Sequence, residues 1–281
     1  MGIDQHLLGA LSLSLGLCGE IGSMKWQFIS FAQTDLGLVR SGNEDSALTC
    51  ANLIAVADGM GGHAGGEVAS AIAINTLEQL LPVISDLKVD VASREDLFLN
   101  ITYEVDSQIL AKSKDSPELS GMGTTLTALS ILDNNVELLH IGDSRCYRYR
   151  NNKLEQLSYD HTVMQELLDQ GRLTPEEIID HPQRSLLTQA LMGDSGIDPI
   201  LVSYEIKKGD QFLLCSDGLT NVLSEYEISK IIEANKPEDI APALIAEVRV
   251  KGAPDNITII WSTVSDKKGN SEVIKIGAAN E

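Results

Sequence analysis

Three apolar segments of this chain each run directly into an aspartate with glycine beside or near it. They are Ile54-Ala55-Val56-Ala57-Asp58-Gly59, Leu138-Leu139-His140-Ile141-Gly142-Asp143 and Phe212-Leu213-Leu214-Cys215-Ser216-Asp217-Gly218. A strand end fixes the direction of the carboxylate that follows it, and the glycine lets the backbone turn sharply or bring its carbonyl close to an ion. Any one Asp-Gly pair is also an ordinary turn signal. Two further acidic clusters, Asn43-Glu44-Asp45 and Asp255-Asn256, share the chain with them. Carboxylates gathered without partners raise one another's pKa values. A hard cation removes that cost, and an all-oxygen donor set suits Mg²⁺ or Mn²⁺ rather than zinc.

The pattern around these clusters reads as α+β. Trp26–Ala32 and Ala47–Ala57 are expected as strands, followed by a helix over Gly66–Leu81 that stops at Pro82 and a second over Arg94–Ala111. Thr125–Leu132 and Val136–Ile141 flank Asp133-Asn134-Asn135 as a hairpin, and Arg145–Tyr149 is expected to continue that meander. Short helices follow over His161–Asp169 and Pro175–Ile179. Strands then lie on either side of Lys207-Lys208-Gly209-Asp210, at Ile200–Ile206 and Gln211–Cys215. Helices over Glu225–Glu233 and Glu238–Val250 precede a last strand, Asn256–Thr263. Consecutive hairpins with grouped helices imply antiparallel sheets with a helical layer on each outer face. The acidic clusters come from both ends of the chain, so one site requires one domain, taken as 24–264.

Residues 1–23 are expected to be appended or disordered: Gly22-Ser23 before Met24 reads as a junction, and the apolar run Leu7–Leu17 lacks a preceding Lys or Arg. Residues 265–281 are expected to form a polar, frayed tail. The net charge of −20 argues against nucleic acid or an anionic membrane as partner. No run of eighteen apolar residues suggests a membrane span. The four cysteines, Cys18, Cys50, Cys146 and Cys215, form no C-x-x-C pair and read as reduced thiols of a cytoplasmic protein. Cys215 precedes Ser216-Asp217, but no C-x₅-R loop follows, so it reads as strand core.

Gly59-Met60-Gly61-Gly62-His63-Ala64 literally matches the dinucleotide fingerprint G-x-G-x-x-A. Asp58 immediately before it would oppose a pyrophosphate, and no acid ends a following strand about 20 residues on, where the ribose contact requires one.

The order of motifs carries a resemblance. Thr34-Asp35-x-Gly37-x-x-Arg40-x-x-Asn43-Glu44-Asp45 resembles the opening motif of bacterial type 2C (PPM) metal-dependent serine/threonine protein phosphatases. Asp58-Gly59-Met60-Gly61-Gly62-His63 with Gly65-Gly66-Glu67, Gly121-Met122-Gly123-Thr124-Thr125, and Gly142-Asp143-Ser144-Arg145 resemble the next three. Ser158-x-Asp160-His161-Thr162, Ser216-Asp217-Gly218-Leu219 and Asp255-Asn256-Ile257-Thr258 complete the set in the family's order, over about Phe28 to Val264.

The resemblance implies an α-β-β-α sandwich of two antiparallel sheets flanked by helices. It also implies hydrolysis of phosphoserine and phosphothreonine in proteins with no covalent phospho-enzyme. Asp58, Asp217, Asp255 and the carbonyl of Gly59 would hold a pair of Mn²⁺ or Mg²⁺ ions, with Glu44 and Asp45 reaching them through water. Asp143 with Asp217 would hold a third ion, and the segment 165–194 matches the family's flap. Phosphorylated proteins, the substrates of a serine/threonine kinase, are the implied partners of a monomer.

Arg40 is the candidate phosphate clamp, its planar fork matching phosphate oxygens; the alternative is a structural ion pair with the nearby acids. His63 is the candidate general acid, or else a surface residue. His161 is expected to fix its loop, His140 to be a hydrogen-bonded core residue, and Arg145 to pair with a carboxylate. Two other readings stay open: a catalytically silent phosphatase-like regulatory module, and a metal hydrolase of small phosphate esters.

Overall fold

A computed structural model describes residues 26–62, 64–84, 89–174, 177, 181, 186–194, 196–267 and 272–280. The segment 1–23, His63 and most of the expected helix Pro175–Ile179 lie outside the described residues.

Two antiparallel sheets face each other. The first has the order β1-β11-β10-β7-β8, built from β1 (Gln27–Asp35), β7 (Arg145–Arg150), β8 (Lys153–Gln156), β10 (Gln211–Cys215) and β11 (Ile257–Ser265). The second has the order β12-β2-β3-β5-β6-β9. It contains β2 (Asp45–Thr49), β3 (Leu53–Met60), β5 (Leu126–Leu132), β6 (Asn135–Ile141), β9 (Ile200–Glu205) and β12 (Ile274–Gly277), with β4 (Gly123–Thr124) paired to the end of β3. Helices α1 (Gly65–Ile84) and α2 (Val91–Asp115) lie outside the second sheet. Three others are α3 (Val163–Asp169), α4 (Asp217–Thr220) and α5 (Glu225–Ala234). Together with α4 and α5, α6 (Pro237–Val250) covers the first sheet.

The layering explains why the central strands lack apolar–polar alternation. In β3, Leu53, Ala55 and Ala57 pack toward α1 and α2, while Ile54 and Val56 pack toward the opposite sheet. In β10, Leu213 and Cys215 face α5 and α6, while Phe212 and Leu214 face the inter-sheet core with Phe28 and Ile260. A strand covered on both faces is apolar at nearly every position. Burying a side chain of this size contributes about 1.5–3 kcal/mol.

Four expectations are corrected. Ala47–Ala57 is two strands: the chain reverses at Cys50, whose N–H donates to the Leu53 carbonyl at 2.8 Å. An apolar hairpin with the unremarkable turn Cys50-Ala51-Asn52 has no punctuation for a sequence pattern to find. Second, β7 does not continue the meander of β5 and β6. Gly142, at φ +108°, turns the chain into the other sheet, where β7 pairs with β10. The strands on either side of Lys207–Asp210 are likewise in different sheets, β9 on β6 and β10 between β7 and β11. Third, Pro82 lies within α1 and does not end it; it lacks the N–H that would donate to the carbonyl of Glu78, and the helix runs only two residues further, to Ile84. Fourth, the stretch expected to fray contains β12, which pairs with β2, and the Ala279 N–H then donates to Ser46 Oγ at 3.0 Å.

Candidate metal and phosphate site

The strand ends named at the outset meet at one end of the sandwich. Asp58 closes the buried part of β3 and stands opposite Asp45 at the start of β2. Its N–H donates to Thr125 Oγ1 at 3.0 Å, and Thr125 Oγ1 also bonds Ser144 Oγ at 2.8 Å, which ties the β3, β5 and β6–β7 ends together. Asp217 follows β10 and takes the first position of α4, where Asn221 Nδ2 donates to its Oδ2 at 2.8 Å. Asp217 and Asp58 are close enough that the charge of Asp217 is among the causes that raise the Asp58 pKa.

The crowding has an electrostatic signature. Asp58 is pushed well above the usual carboxylate range, first by burial and then by the charges of Asp45, Asp217, Asp143 and Asp255. Burial also leads for Asp217, pushed up to about 6 with the Asp255 charge next. For Asp45, burial raises the pKa to about 7 against the opposing hydrogen bonds from Ser216 and Thr258. Asp143 is raised by burial and by Asp217, and Glu44 is raised chiefly by burial.

Close backbone approaches build this end. A Cβ on Gly59 would lie 2.1 Å from the Gly66 carbonyl oxygen and 2.6 Å from that of Glu44. One on Gly218 would lie 1.9 Å from the Asn256 carbonyl oxygen. Both positions require glycine for contact between chain segments. Nor does the glycine run 59–62 sit in a nucleotide fold, because β3 pairs antiparallel with β2, β4 and β5. The parallel βαβ unit that the dinucleotide reading needs is not there.

The expected ligands are gathered, and Asp255, Asp45 and Asp217 among them each have a protein partner for the side chain. Arg40 forms a two-pronged ion pair with Asp255, Nε to Oδ1 at 2.7 Å and Nη2 to Oδ2 at 2.8 Å. This is the structural pairing that stood as the alternative to its clamp role. Asp45 is 1% exposed and accepts from Ser216 Oγ at 2.7 Å. Among the described residues, no three His, Cys, Asp or Glu side chains already form a group that could hold an ion. The chemistry of the donors nevertheless fits one: carboxylates with raised pKa values, oxygen donors throughout, and Arg40 at the cluster's edge as cationic neighbour.

Residues beyond the expected set hold the site in shape. Asn256 is the chief of these. Its Oδ1 accepts from the Glu44 N–H at 2.9 Å, and its Nδ2 donates to the carbonyls of Leu36 at 2.9 Å and Gly42 at 3.0 Å. One buried amide thus fastens the loop carrying Arg40 and Glu44 to the turn carrying Asp255. Ser216 is the second: it donates to Asp45 and accepts from the Thr258 N–H at 2.9 Å. Both lie inside quoted motifs, but nothing in the sequence says which way their side chains bond.

His161 holds the Asp143 loop, its Nδ1 accepting from the Gly142 N–H at 3.0 Å while its own N–H donates to the Gly142 carbonyl at 2.8 Å. His140 is buried between Thr127 Oγ1 and the Tyr159 carbonyl, and burial depresses its pKa to about 3. Arg145 grips Asp160 through Nε and Nη2. Cys215 is fully buried, and burial pushes its thiol up to about 12, so it supplies no thiolate near neutrality. Near the end of the segment 165–194, the N–H groups of Met192 and Gly193 both donate to Asp106 Oδ1 of α2, at 3.0 and 2.6 Å, pinning this stretch beside β4.

The sequence profile described as protein phosphatase 2C matches residues 42–237. The chain belongs to that family. It is 42% identical over 253 residues to the serine/threonine protein phosphatase PstP of Mycobacterium tuberculosis, covering 89% of this chain and 48% of that protein. This chain therefore spans about half the length of that relative. It is 35% identical over 240 residues to the protein phosphatase PhpP of Streptococcus pneumoniae, covering 83% of this chain and 96% of the relative. The fold superposes on the crystal structure of the PstP catalytic domain in complex with 2 manganese ions. The TM-score is 0.77 at 39% identity, over 85% of this chain and 99% of that one. The sandwich inferred from the motifs is thus the family's fold.

Proposed function

We propose that this chain hydrolyses phosphoserine and phosphothreonine esters of proteins, water attacking phosphorus directly with no covalent phospho-enzyme. The observation that carries this is the convergence of Asp45, Asp58, Asp143 and Asp217 at one end of the sandwich, with Arg40 and Asp255 at its edge. Such a cluster is unfavourable by itself and fits Mn²⁺ or Mg²⁺. Asp58, Asp217, Asp255 and the Gly59 carbonyl would hold two ions, Asp143 with Asp217 a third. Bound there, the ions lower the pKa of water and neutralise phosphate oxygens. Glu44 borders that space. Asp45, bound to Ser216 beneath it, acts chiefly by orienting its neighbours.

With Asp255 engaged by a cation, the Arg40 fork would be free to take two oxygens of the phosphoryl group. His63 supplies the proton that the departing serine or threonine oxygen needs, since an alkoxide leaves poorly. In a phosphoryl transfer of this kind, positioning and charge neutralisation do most of the catalysis. The phosphorylated partners, a cytoplasmic location and a monomeric state are part of the same proposal. The free, buried thiols of Cys146 and Cys215 support a reducing compartment.

The test is phosphate release from a phosphothreonine peptide with Mn²⁺, with and without EDTA, beside a sugar phosphate. Metal-dependent release favouring the peptide is expected. A protein that binds Mn²⁺ yet releases no phosphate from the peptide or from any aryl phosphate is a silent binding module instead. A preference for the sugar phosphate makes it a small-ester hydrolase.

Arg40→Lys keeps the charge but loses the fork. It is expected to raise KM for the phosphopeptide about 10-fold, the equivalent of one lost charge-assisted hydrogen bond, with a smaller change in kcat. Unchanged steady-state constants would leave Arg40 only its ion pair with Asp255.

A further inference from the structure

The loop between β1 and β2 presents apolar side chains next to the candidate phosphate clamp. Leu36, Leu38 and Val39 are 40%, 55% and 71% exposed, and Arg40 follows directly. Large apolar side chains exposed one at a time are ordinary on a protein surface. Among the described residues, no other stretch of four exposes three of them.

The exposure is built in, because the backbone of this loop is fastened. The Leu36 carbonyl accepts from Asn256 Nδ2 at 2.9 Å, and the Leu38 N–H donates to the Ala253 carbonyl at 2.8 Å. Between them the Gly37 N–H donates to Asp35 Oδ1 at 2.8 Å, with Gly37 at φ +81°. A Cβ on Gly37 would lie 2.2 Å from the Asp255 carbonyl oxygen, so the chain is pressed against the turn 253–256. Asp35 is held in its turn by Arg249 Nη1, at 2.7 and 3.0 Å. The backbone polar groups are thus spent on that turn, while the side chains of Leu38 and Val39 stay in solvent. Apolar groups already fixed in place bind a partner at little cost in ordering.

Position and charge narrow the occupant. Val39 and Leu38 stand one and two residues from Arg40, and their loop is bonded to the turn that carries Asp255, the partner of Arg40. An extended chain advances about 3.3 Å per residue. The first side chains on either side of a phosphothreonine therefore meet what immediately surrounds the phosphate. Both arginines here are engaged, Arg40 by Asp255 and Arg249 by Asp35, and the net charge is −20. An acidic flank gains no cation from these two and meets a repulsive field. An aliphatic flank covers exposed apolar surface.

We propose that Leu38 and Val39 are specificity-determining residues, forming a subsite for an aliphatic side chain adjacent to the phosphothreonine of a protein substrate. The inference rests on the reading of the site as a protein phosphatase.

The test is kcat/KM of the full chain with Mn²⁺ on phosphothreonine peptides identical except for the two neighbours of the phosphothreonine, which are Leu, Ala or Glu. An aryl phosphate, which has no flank, is measured beside them. The Leu peptide is expected to exceed the Ala peptide about 10-fold, with the Glu peptide lowest. Val39→Ser, at the most exposed of the three positions, is expected to cut the Leu preference to about 3-fold. Leu38→Ser with Val39→Ser is expected to abolish it, both variants turning over the aryl phosphate like the parent. The proposal is overturned if the parent treats Leu and Ala alike, or if the preference survives in the double variant. It is also overturned if Val39→Ser loses aryl phosphate turnover as well, since the loop then supports the site and not the substrate's flank. A parent that is dimeric by light scattering and a double variant that is monomeric would assign these side chains to a second copy instead. Turnover of the aryl phosphate without any Leu preference sinks this inference alone. Release from neither peptide nor aryl phosphate sinks the phosphatase reading and this inference with it.

Discussion

Asp58→Asn is expected to abolish metal-dependent turnover, by at least about 10³-fold, while making the metal-free protein more resistant to heat. The two effects share one cause. Burial and four neighbouring acids disfavour the charge at Asp58. Asparagine has the same shape, brings an uncharged amide N–H beside the other acids, and leaves the N–H bond to Thr125 Oγ1 intact. Removing the charge therefore relieves repulsion that the fold otherwise tolerates. A metal-ligating site loses a central anionic donor by the same exchange. For a domain of this size each kcal/mol moves the unfolding midpoint by about 2–4 °C. Thermal unfolding in EDTA and with Mn²⁺, beside turnover of a phosphopeptide, reads both effects. The variant should melt higher than the parent in EDTA and gain little from Mn²⁺. A variant that melts lower in EDTA would show that Asp58 supports the fold and does not strain it. One that retains turnover would remove Asp58 from the site.

That trade of stability for function is why the site was readable before the fold. The strand-end aspartates stand out because they break the apolar runs of β3 and β10, and an acid at the end of a doubly covered strand has few structural uses. The sheets themselves were harder to trace. Strands β6 and β7 are adjacent in sequence, and so are β9 and β10, yet each pair divides between sheets. Hairpin proximity signals pairing only when the linking turn keeps the chain in plane, and Gly142 does not. The turn at Cys50–Asn52 carries no glycine or proline, and a single Asn52 does not break the long run that joins the two strands. The tail offered too little periodicity to reveal β12, whose place on β2 is set by a partner some 225 residues away in the chain. A sequence motif can name Asn256 and Ser216 but cannot give their direction. The Asn256 amide spans three segments, and Ser216 turns inward to Asp45. The pairing of Arg40 with Asp255 was one of two readings the residues allowed.

The pH dependence of stability should reverse when metal is added. In the metal-free protein, burial and mutual repulsion raise the folded-state pKa of Asp217 to about 6 and of Asp45 to about 7, from an ordinary 3.8. Asp58 and Asp143 move in the same direction. Between those limits the folded chain binds more protons than the unfolded one, so stability falls as pH rises. The contribution of these acids is fully present below about pH 4 and is lost as pH climbs through about 6 to 7. The net charge of −20 adds self-repulsion, but ordinary surface carboxylates have mostly ionised by about pH 5, so they contribute little to a slope above it.

Divalent ions act the other way. They bind the deprotonated carboxylates, so their affinity rises over the same interval. At a hundredfold excess over Kd, an ion stabilises the fold by about 2.7 kcal/mol. Unfolding midpoints measured from pH 5 to pH 8 should therefore fall in EDTA and stay level or rise with Mn²⁺, the two curves diverging most above pH 7. Asp58→Asn should flatten both, since it removes a charge that the other acids feel and a donor that the ion needs. Parallel curves in EDTA and Mn²⁺ would mean that the clustered carboxylates neither strain the fold nor bind the ion, and the metal site would have to be sought elsewhere in the chain.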